Sequence, residues 1–394
     1  MLGLCTGHCG RHRYDAHAIT SNSSLRDAKL QGTMDLLLSI NLHSRQPAQP
    51  VSSLAAKSLG SRPPSTRKRM KTHTVVASVF KRGGADLRTT LTTKCLLLLL
   101  VIILSACGRA FEPEVPVAAE PGRLADGQDV YGTFYAYVPA TIQENPEILV
   151  LVHGTPPKDG TAAANAEFYA AAWIDFAEEH GFTLIAPAFN QEDFSSRYGD
   201  RAMSGYRGLF GREIGADEWV LRLVRAYQQA AGSADERFYL YGHSAGGQFT
   251  SRFLVTHPGF VKRAVITSAA TYPQPDPEVT WPFGMGELHA DIEWNADTSK
   301  HVDIVPDEGT WLAATQVPLT VIVGLEDRAQ LPVSLIPGQK GRNRFTIARN
   351  WVRDMGTFAK ENGMESRFEL DIIPGQGHSM TGLLSYSQKA LAPQ

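Results

Sequence analysis

Cysteine is absent from most of this sequence, and its absence excludes several kinds of site. The 394 residues contain four cysteines, all at or before position 107, so residues 108–394 have none. That part of the chain can form no disulfide, and it offers neither a cysteine nucleophile nor a cysteine-ligated zinc. Cys5, His8, Cys9 and His12 are metal donors by type, but no second ligand cluster accompanies them. The sequence therefore predicts no cysteine-ligated metal site.

Acidic residues are scarce in the first quarter of the chain. Residues 1–94 hold 15 Lys and Arg against 4 Asp and Glu, whereas the remainder holds 23 against 36. A basic arm before an acidic body can indicate nucleic-acid binding. Residues 1–69 are rich in Ser, Arg, Gln and Thr, however, and such a composition buries too little apolar surface to fold. We expect residues 1–94 to be a disordered extension outside the mature protein, with no nucleic-acid partner.

No apolar run is long enough to cross a membrane as a helix. The run CLLLLLVIIL at residues 95–104 spans ten residues, against the roughly 20 that a bilayer requires. Lys94 precedes it and Ser105, Ala106 and Cys107 follow it, which is the pattern of a secretory signal. The alternative is a buried strand or helix of a larger domain. Because a signal should begin a protein, we expect translation to start at Met70 or at a non-Met codon near Leu87 or Leu91.

The sequence Leu-Ser-Ala-Cys at residues 104–107 also resembles the bacterial lipobox, whose cysteine becomes the lipidated first residue after cleavage. Residues 95–107 are therefore interpreted as a lipoprotein signal core and lipobox, with Cys107 as the lipidation site. Residues 108–125 are rich in Pro, Glu and Ala and suit an extended tether. The resulting expectation is a lipid-anchored, extracytoplasmic protein of the bacterial cell envelope, at the periplasmic or outer-membrane face, or a secreted protein.

Residues 126–394 alternate between strand-like and helix-like segments, without an internal repeat. Repeated β-then-α units with apolar strands favour one α/β domain, with a mostly parallel, doubly wound sheet covered by helices on both faces. The predicted strands are Val130–Pro139 (at an edge), Glu147–His153, Phe182–Ala188, Arg237–Gly242, Arg263–Ser268, Leu319–Gly324 and Phe368–Ile373. The predicted helices are Ala163–His180, Asp217–Ala231, the stretch from Ser244 to His257, and Ile347–Asn362.

The sequence Gly-His-Ser-Ala-Gly at residues 242–246 fits the Gly-x-Ser-x-Gly pattern of a nucleophilic serine. This pattern makes a sharp turn from a strand into a helix, with glycines where side chains would collide. Its position between a predicted strand and a predicted helix favours Ser244 as the nucleophile over an ordinary glycine-rich turn. His243 flanks the serine and is interpreted as a packing residue that points away from the serine hydroxyl.

A serine hydroxyl needs a base, and the base needs a residue that orients it. Asp327 lies just past the predicted strand Leu319–Gly324, at the strand edge where ligands bind such sheets. His378 follows the last predicted strand on a glycine-rich loop. In proteins with a Gly-x-Ser-x-Gly turn, the acid and then the histidine follow the serine along the chain, and these residues have that order. We expect His378 to be the general base and Asp327 to orient it, with Glu326 as the rival acid.

An oxyanion formed during catalysis needs two hydrogen-bond donors. One expected donor is the Ala245 N–H, at the start of the helix. The other should lie in the loop after the strand Glu147–His153. Since Pro156 and Pro157 in that loop have no N–H, Thr155 is the first choice, and Gly154 is the second.

The motifs HGT, GHSAGG, GLED and GQGH, in this order, resemble those of the α/β-hydrolase superfamily. Over roughly residues 130–385 the sequence resembles bacterial esterases related to polyhydroxybutyrate depolymerases and feruloyl esterases, notably in ADERFYLYGHSAGGQ (residues 234–248). The resemblance implies hydrolysis of small, polymeric or aryl carboxylic esters through an acyl-enzyme, without metal or cofactor. The chain lacks the disulfides of many secreted depolymerases and a separate polymer-binding domain, which weakens any expectation of a crystalline polymer substrate.

A long segment at residues 271–310, rich in Pro, acids and aromatics, is expected to form a loop-rich insertion over the site. Aromatic and sulfur-containing side chains suit a pocket for an acyl or alcohol group. The candidates in this segment are Tyr272, Trp281, Phe283 and Met285. The candidates for an opposite wall are Phe194, Tyr198 and Tyr206.

Two alternative functions also fit this fold. The first is a serine peptidase or amidase with the same three residues, and the second is a binding protein without catalysis. A peptidase needs a site for a peptide terminus, and no accessory domain for one is visible. A binding protein is disfavoured because every catalytic position is filled. The sequence does not determine the oligomeric state.

Overall fold

The computed structural model describes residues 114–117, 120–141, 146–195, 205–295 and 298–393. These residues all belong to one compact unit, Leu87–Gln394. The predicted extension 1–94, the signal and lipobox 95–107, the lipidation site Cys107 and the candidate Tyr198 lie outside the described residues. Within the described residues, no helix has both the length and the hydropathy that crossing a membrane requires.

The architecture is a mostly parallel central sheet with helices on both faces, as the sequence predicts. The strands are β1 (Leu124–Asp129), β2 (Gly132–Tyr137), β3 (Glu147–Val152), β4 (Phe182–Pro187), β5 (Phe238–His243), β6 (Val261–Thr267), β7 (Leu288–Asn295), β8 (Thr298–Ile304), β9 (Leu319–Gly324) and β10 (Phe368–Ile373). The main sheet has the order β1-β2-β4-β3-β5-β6-β9-β10. β2 is antiparallel to its neighbours β1 and β4. The other neighbours in this sheet, in the order β4-β3-β5-β6-β9-β10, pair in parallel.

Helices cover the sheet because its central strands are apolar on both faces. In β3, Val150 and Val152 point into one hydrophobic cluster, whereas Leu149 and Leu151 point into the other. Such alternation buries a strand completely when helices pack on each side. The helices are α1 (Ala162–Ala172), α2 (Ile174–His180), α3 (Gln191–Phe194), α4 (Ala216–Ala231), α5 (Ala245–Thr256), α6 (Glu308–Ala314), α7 (Arg344–Glu361) and α8 (Met380–Leu391).

The beginning of the domain differs from the sequence prediction. The predicted edge strand Val130–Pro139 is instead the end of a hairpin turn followed by β2, and β1 forms the edge. β1 begins inside the predicted tether 108–125, and Val115 is only 9% exposed against the core. Part of the predicted tether therefore packs on the domain, because burying this valine removes apolar surface from water.

Two further segments differ from their predictions. The predicted helix Ala163–His180 is divided into α1 and α2 at Trp173, which is fully buried. Gly181 ends α2 with φ 74°, the left-handed conformation expected of its glycine. The insertion at residues 271–310 is less loop-rich than predicted, since β7 and β8 form an antiparallel hairpin within it.

Candidate active site

Ser244 occupies a strained turn between β5 and α5. Its φ of 54° and ψ of −109° are unusual for a residue with a side chain. A Cβ on Gly242 would lie 2.2 Å from the Gly246 carbonyl oxygen, and one on Gly246 would lie 2.0 Å from the Val152 carbonyl oxygen. The two glycines therefore allow α5 to start directly against the ends of β5 and β3. The Ser244 N–H donates to the Thr267 carbonyl at 2.8 Å, which fixes the turn against β6.

The structure brings Ser244, His378 and Asp327 together. His378 Nε2 lies 3.1 Å from Ser244 Oγ, and His378 Nδ1 lies 2.9 Å from Asp327 Oδ2. The imidazole thus bridges the hydroxyl and the carboxylate, although 134 and 51 residues separate it from them in sequence. Asp327 is buried, whereas Ser244 is half-buried and His378 is exposed. The serine end of this hydrogen-bonded triad therefore faces solvent.

Two loops meet at the ends of β9 and β10 to make this contact. The Glu326 N–H donates to the Gln376 carbonyl at 2.9 Å, and the Leu325 N–H donates to the Ile373 carbonyl at 2.9 Å. A Cβ on Gly324 would lie 2.1 Å from the Gln376 carbonyl oxygen, so this glycine permits the close approach. The turn directs Asp327 inward, where it is 3% exposed, whereas Glu326 is exposed and has no described contact with His378.

The carboxylate of Asp327 is held in its charged form. Burial alone would raise its pKa, but the hydrogen bond and charge of His378, together with the charge of Arg344, outweigh burial and lower the pKa below its usual value. Arg344 Nη1 lies 3.4 Å from Asp327 Oδ1, the oxygen that His378 does not use. Arg344 is the first residue of α7, and nothing in its sequence context reveals this role.

His243 contacts the candidate base instead of the solvent. Its ring centroid lies 5.0 Å from that of His378, and its Nδ1 is 2.8 Å from Thr267 Oγ1. Burial, aided by the charge of His378, lowers the pKa of His243 to about 3. A neutral ring therefore packs against the imidazole of His378. The packing role that the sequence suggested holds, but its partner was not predicted.

Ala245 and Thr155 carry backbone N–H groups without an acceptor among the described residues. Ala245 opens α5, where the helix dipole favours negative charge. The second choice, Gly154, donates its N–H to the Tyr169 hydroxyl at 3.1 Å. This N–H is therefore already bonded and is not free to donate to an oxyanion. Gly154 lies against β5, because a Cβ on it would be 3.4 Å from the His243 carbonyl oxygen.

The loop that carries Thr155 is fixed from two sides. Arg207 Nη2 donates to Thr155 Oγ1 at 2.7 Å. The buried His153 accepts the Phe189 N–H at Nε2, 3.1 Å away, and its Nδ1 lies 2.6 Å from the Gly154 carbonyl. Burial lowers the pKa of His153 to about 4, so the ring is neutral, with its proton on Nδ1. Sequence reasoning noted the histidine but not this function.

Two of the four candidate pocket residues are core residues. Tyr272 is fully buried and stacks on Trp351, with ring centroids 4.5 Å apart, and Trp281 is 1% exposed. The prediction that these two line a pocket is wrong, because large rings gain more from complete burial. Phe283 and Met285 are half-buried and remain candidates.

The opposite wall was also predicted incorrectly at both described positions. Phe194 is 2% exposed and stacks on Trp219 at 5.0 Å, and Tyr206 is 5% exposed and stacks on Phe189 at 4.7 Å. Both rings belong to the core. Among the described residues, no group of three or more His, Cys, Asp or Glu is arranged to hold a metal ion.

A model of the alpha/beta hydrolase family matches residues 149–392. Acetylxylan esterase A of Emericella nidulans is 23% identical over 248 residues, which cover 60% of this chain and 73% of that protein. Poly(aspartic acid) hydrolase-1 from Sphingomonas sp. KT-1 is similar in structure, with a TM-score of 0.51 and 25% identity over 72% of this chain and 99% of the other.

A poly(3-hydroxybutyrate) depolymerase from Bordetella parapertussis has the same fold, with a TM-score of 0.51 and 21% identity over 66% of this chain and 85% of the other. The matched region contains Ser244, Asp327 and His378. It also contains β3 to β10, apart from the first two residues of β3, so the match covers the parallel part of the sheet that positions these residues.

Proposed function

The chain belongs to the alpha/beta hydrolase family, and on this premise we propose that it hydrolyses carboxylic esters through an acyl-enzyme formed on Ser244. The observation that carries the proposal is the hydrogen-bonded series from Ser244 Oγ through His378 to Asp327. The acetylxylan esterase and the depolymerase found among similar proteins act on esters by their names, which supports this class of substrate.

In the first half of the reaction, Ser244 Oγ attacks the ester carbonyl carbon while His378 Nε2 accepts the hydroxyl proton. The Ala245 and Thr155 N–H groups donate to the resulting oxyanion. The tetrahedral intermediate then collapses, the C–O bond to the alcohol breaks, and His378 gives its proton to the leaving oxygen. Asp327 keeps the proton of the imidazole on Nδ1 and stabilises the imidazolium without being protonated.

In the second half, water replaces the alcohol. His378 removes a proton from the water, whose oxygen attacks the acyl carbon of the acyl-enzyme. A second oxyanion forms at the same two donors, and its collapse releases the carboxylic acid and returns the proton to Ser244 Oγ. Every step uses residues of this chain and water, and the atoms balance without a further reactant.

A second candidate function is hydrolysis of amides by the same three residues. It is favoured by the similarity to a poly(aspartic acid) hydrolase, because poly(aspartic acid) is a polyamide. Amide cleavage makes a stronger demand on His378, since a leaving amine must be protonated before it departs.

The two candidates are separated by assaying the full chain on p-nitrophenyl esters of increasing acyl length and on aminoacyl-anilides. We expect ester hydrolysis and labelling by a fluorophosphonate probe, both lost in Ser244→Ala, whose circular dichroism should match the wild type. Hydrolysis of anilides but not of esters would favour the amidase. Inertness toward both substrates, without labelling, would favour a binding protein and refute both proposals.

For the location of the protein, we propose a lipid anchor at Cys107 after cleavage of the signal 95–107, which leaves the catalytic domain outside the cytoplasm. The lipobox-like residues 104–107 support this proposal. Metabolic labelling with an alkyne fatty acid in a bacterial host should mark the wild type and leave Cys107→Ala unmarked. Equal labelling of the two proteins would contradict the anchor.

A further inference from the structure

The sequence directly after Asp327 is strongly basic. Residues 328–353 contain six Lys and Arg and no Asp or Glu. Residues 95–394 as a whole carry an excess of acidic residues, so this basic segment stands out against the rest of the domain. It starts at the carboxylate proposed to orient the base and runs into the middle of α7.

Half of these six cations have an acidic partner. Lys340 and Arg353 both contact Asp354, at 2.9 Å each, and Arg344 contacts Asp327 at 3.4 Å. Arg328, Arg342 and Arg349 form no ion pair with any described residue. The Arg328 N–H donates to the Glu326 carbonyl at 2.8 Å, but the exposed Glu326 carboxylate pairs with none of the three guanidinium groups among the described residues. We call these three exposed arginines the arginine surface.

Packing brings the arginine surface together. The guanidinium carbon of Arg328 lies 4.7 Å from the centre of the Phe345 ring, and that of Arg349 lies 5.6 Å from the same centre. The Leu331 N–H donates to the Arg342 carbonyl at 2.7 Å, which folds the loop back so that Arg342 lies beside the start of α7. Grouping like charges in this way costs folding free energy unless an anion balances them.

Hydrogen bonds join the segment that carries the arginine surface to the insertion at residues 271–310. Trp351 Nε1 donates to the Pro273 carbonyl at 2.6 Å, and Gln339 makes two 2.9 Å hydrogen bonds with the backbone of Tyr272. Arg328 is fixed by its Nε, which donates to the Leu325 carbonyl at 2.7 Å. Three cations are thus held on the side of the site where Asp327 and Arg344 lie.

We propose that the arginine surface binds carboxylate groups of an anionic substrate whose scissile bond reaches Ser244. The inference rests on the proposed function and specifies its substrate class: an ester or amide with carboxylates placed away from the bond that breaks. Guanidinium groups suit this ligand because their paired N–H donors match the two oxygens of a carboxylate. Their charge, which no described acidic side chain neutralises, also attracts anions, so the preference should be strong at low salt and weak at high salt.

The first test compares p-nitrophenyl monoesters of dicarboxylic acids, from glutarate to suberate, with neutral alkanoate esters of matched length. At low salt we expect kcat/KM to favour the anionic ester by about tenfold at the best chain length. The preference should decline as sodium chloride is added. Equal rates for charged and neutral esters at every length would overturn the proposal while leaving ester hydrolysis intact.

The second test removes the charges. In the triple variant Arg328→Gln, Arg342→Gln and Arg349→Gln, we expect the anionic preference to disappear, with kcat/KM for the neutral ester largely kept. A control with Arg225→Gln, Lys360→Gln and Lys389→Gln removes three exposed cations elsewhere and should keep the preference. Loss of the preference in both variants would mean that net charge alone is responsible, and the proposal would fail.

A third measurement separates this inference from the proposed function. Fluorescence anisotropy of labelled hexaglutamate on the full chain measures anion binding without any reaction. Residues 1–94 are the same in all three proteins, so a difference between the two triple variants reports the arginine surface. If esters are not hydrolysed but hexaglutamate binds about tenfold more weakly only to the arginine variant, the anion-binding part of the inference stands and the proposed function fails. Equal affinity of the two variants would overturn the inference.

Discussion

At the scale of single residues, the arrangement around His378 limits what its imidazole can do. The Asp327 carboxylate accepts a hydrogen bond from His378 Nδ1, and the Ser244 hydroxyl lies within hydrogen-bond distance of Nε2. The neutral ring of His243 packs against the same imidazole. An imidazole fixed on three sides has one orientation, and its Nε2 is left to accept a proton. Arg344 occupies the second oxygen of Asp327, so the carboxylate is fixed as well.

The position of Asp327 leads to a prediction about its neighbour. Asp327→Asn should lower kcat by on the order of 10⁴, because the amide no longer holds the imidazole in the tautomer that accepts the serine proton. Glu326→Gln is the matched control, and its kcat should stay near the wild-type value, since Glu326 is exposed and does not contact His378. Steady-state kinetics on one p-nitrophenyl ester measures both variants. Equal losses in the two variants would show that the wrong acid has been chosen.

At the scale of elements, the site depends on the close approach of α5 to the ends of β3 and β5. The helix begins one residue after the nucleophile, and Gly246 in its first turn leaves no room for a side chain. This contact places the start of α5, with its free N–H groups, near the loop that carries Thr155. The same contact keeps Ser244 in its strained conformation.

Two helical glycines should therefore respond to alanine in opposite ways. Gly246→Ala would place a Cβ 2.0 Å from the Val152 carbonyl oxygen, so we expect a loss of about 2 kcal/mol or more in the free energy of unfolding, with lower kcat. Gly356→Ala in α7 meets no atom within 4 Å and should gain up to about 1 kcal/mol, because alanine has the higher helix propensity. Urea denaturation of both variants measures the difference. A neutral or stabilising Gly246→Ala would contradict the close packing.

At the scale of the whole molecule, the folded chain buries two neutral histidines near the proposed site. Burial lowers the pKa of His153 to about 4 and that of His243 to about 3. Both rings have an ordinary pKa near 6.5 in the unfolded chain. Between these values the unfolded state binds more protons than the folded state does, so acid favours unfolding.

The free energy of unfolding should therefore decrease as the pH falls from about 6.5 toward 4, by up to about 1.4 kcal/mol per pH unit for each histidine. His243→Gln should remove its share of this slope. His289→Gln is the control: the hydrogen bonds that the His289 ring donates to Asp303 and Glu287 raise its pKa, so its small contribution to stability is lost as the pH rises. Urea denaturation at several pH values gives the slopes, and an unchanged slope in His243→Gln would disprove the prediction.

The sequence by itself determined the order of the six parallel strands of the main sheet, because apolar periodicity and glycine turns are local features. β9 and β10 have their predicted bounds, and the turn around Ser244 lies between a strand and a helix as its glycines required. The order of the three polar residues along the chain was sufficient to expect them at one edge of the sheet.

Only the tertiary structure decided which side chains face each other. It turned Asp327 inward and Glu326 outward, buried Tyr272 and Trp281 in the core, and brought Arg344 to the carboxylate. These outcomes depend on how loops from distant parts of the chain pack on one another. Neighbouring residues in sequence carry no record of that packing, because burial and charge pairing are properties of surfaces that form only when the chain has folded.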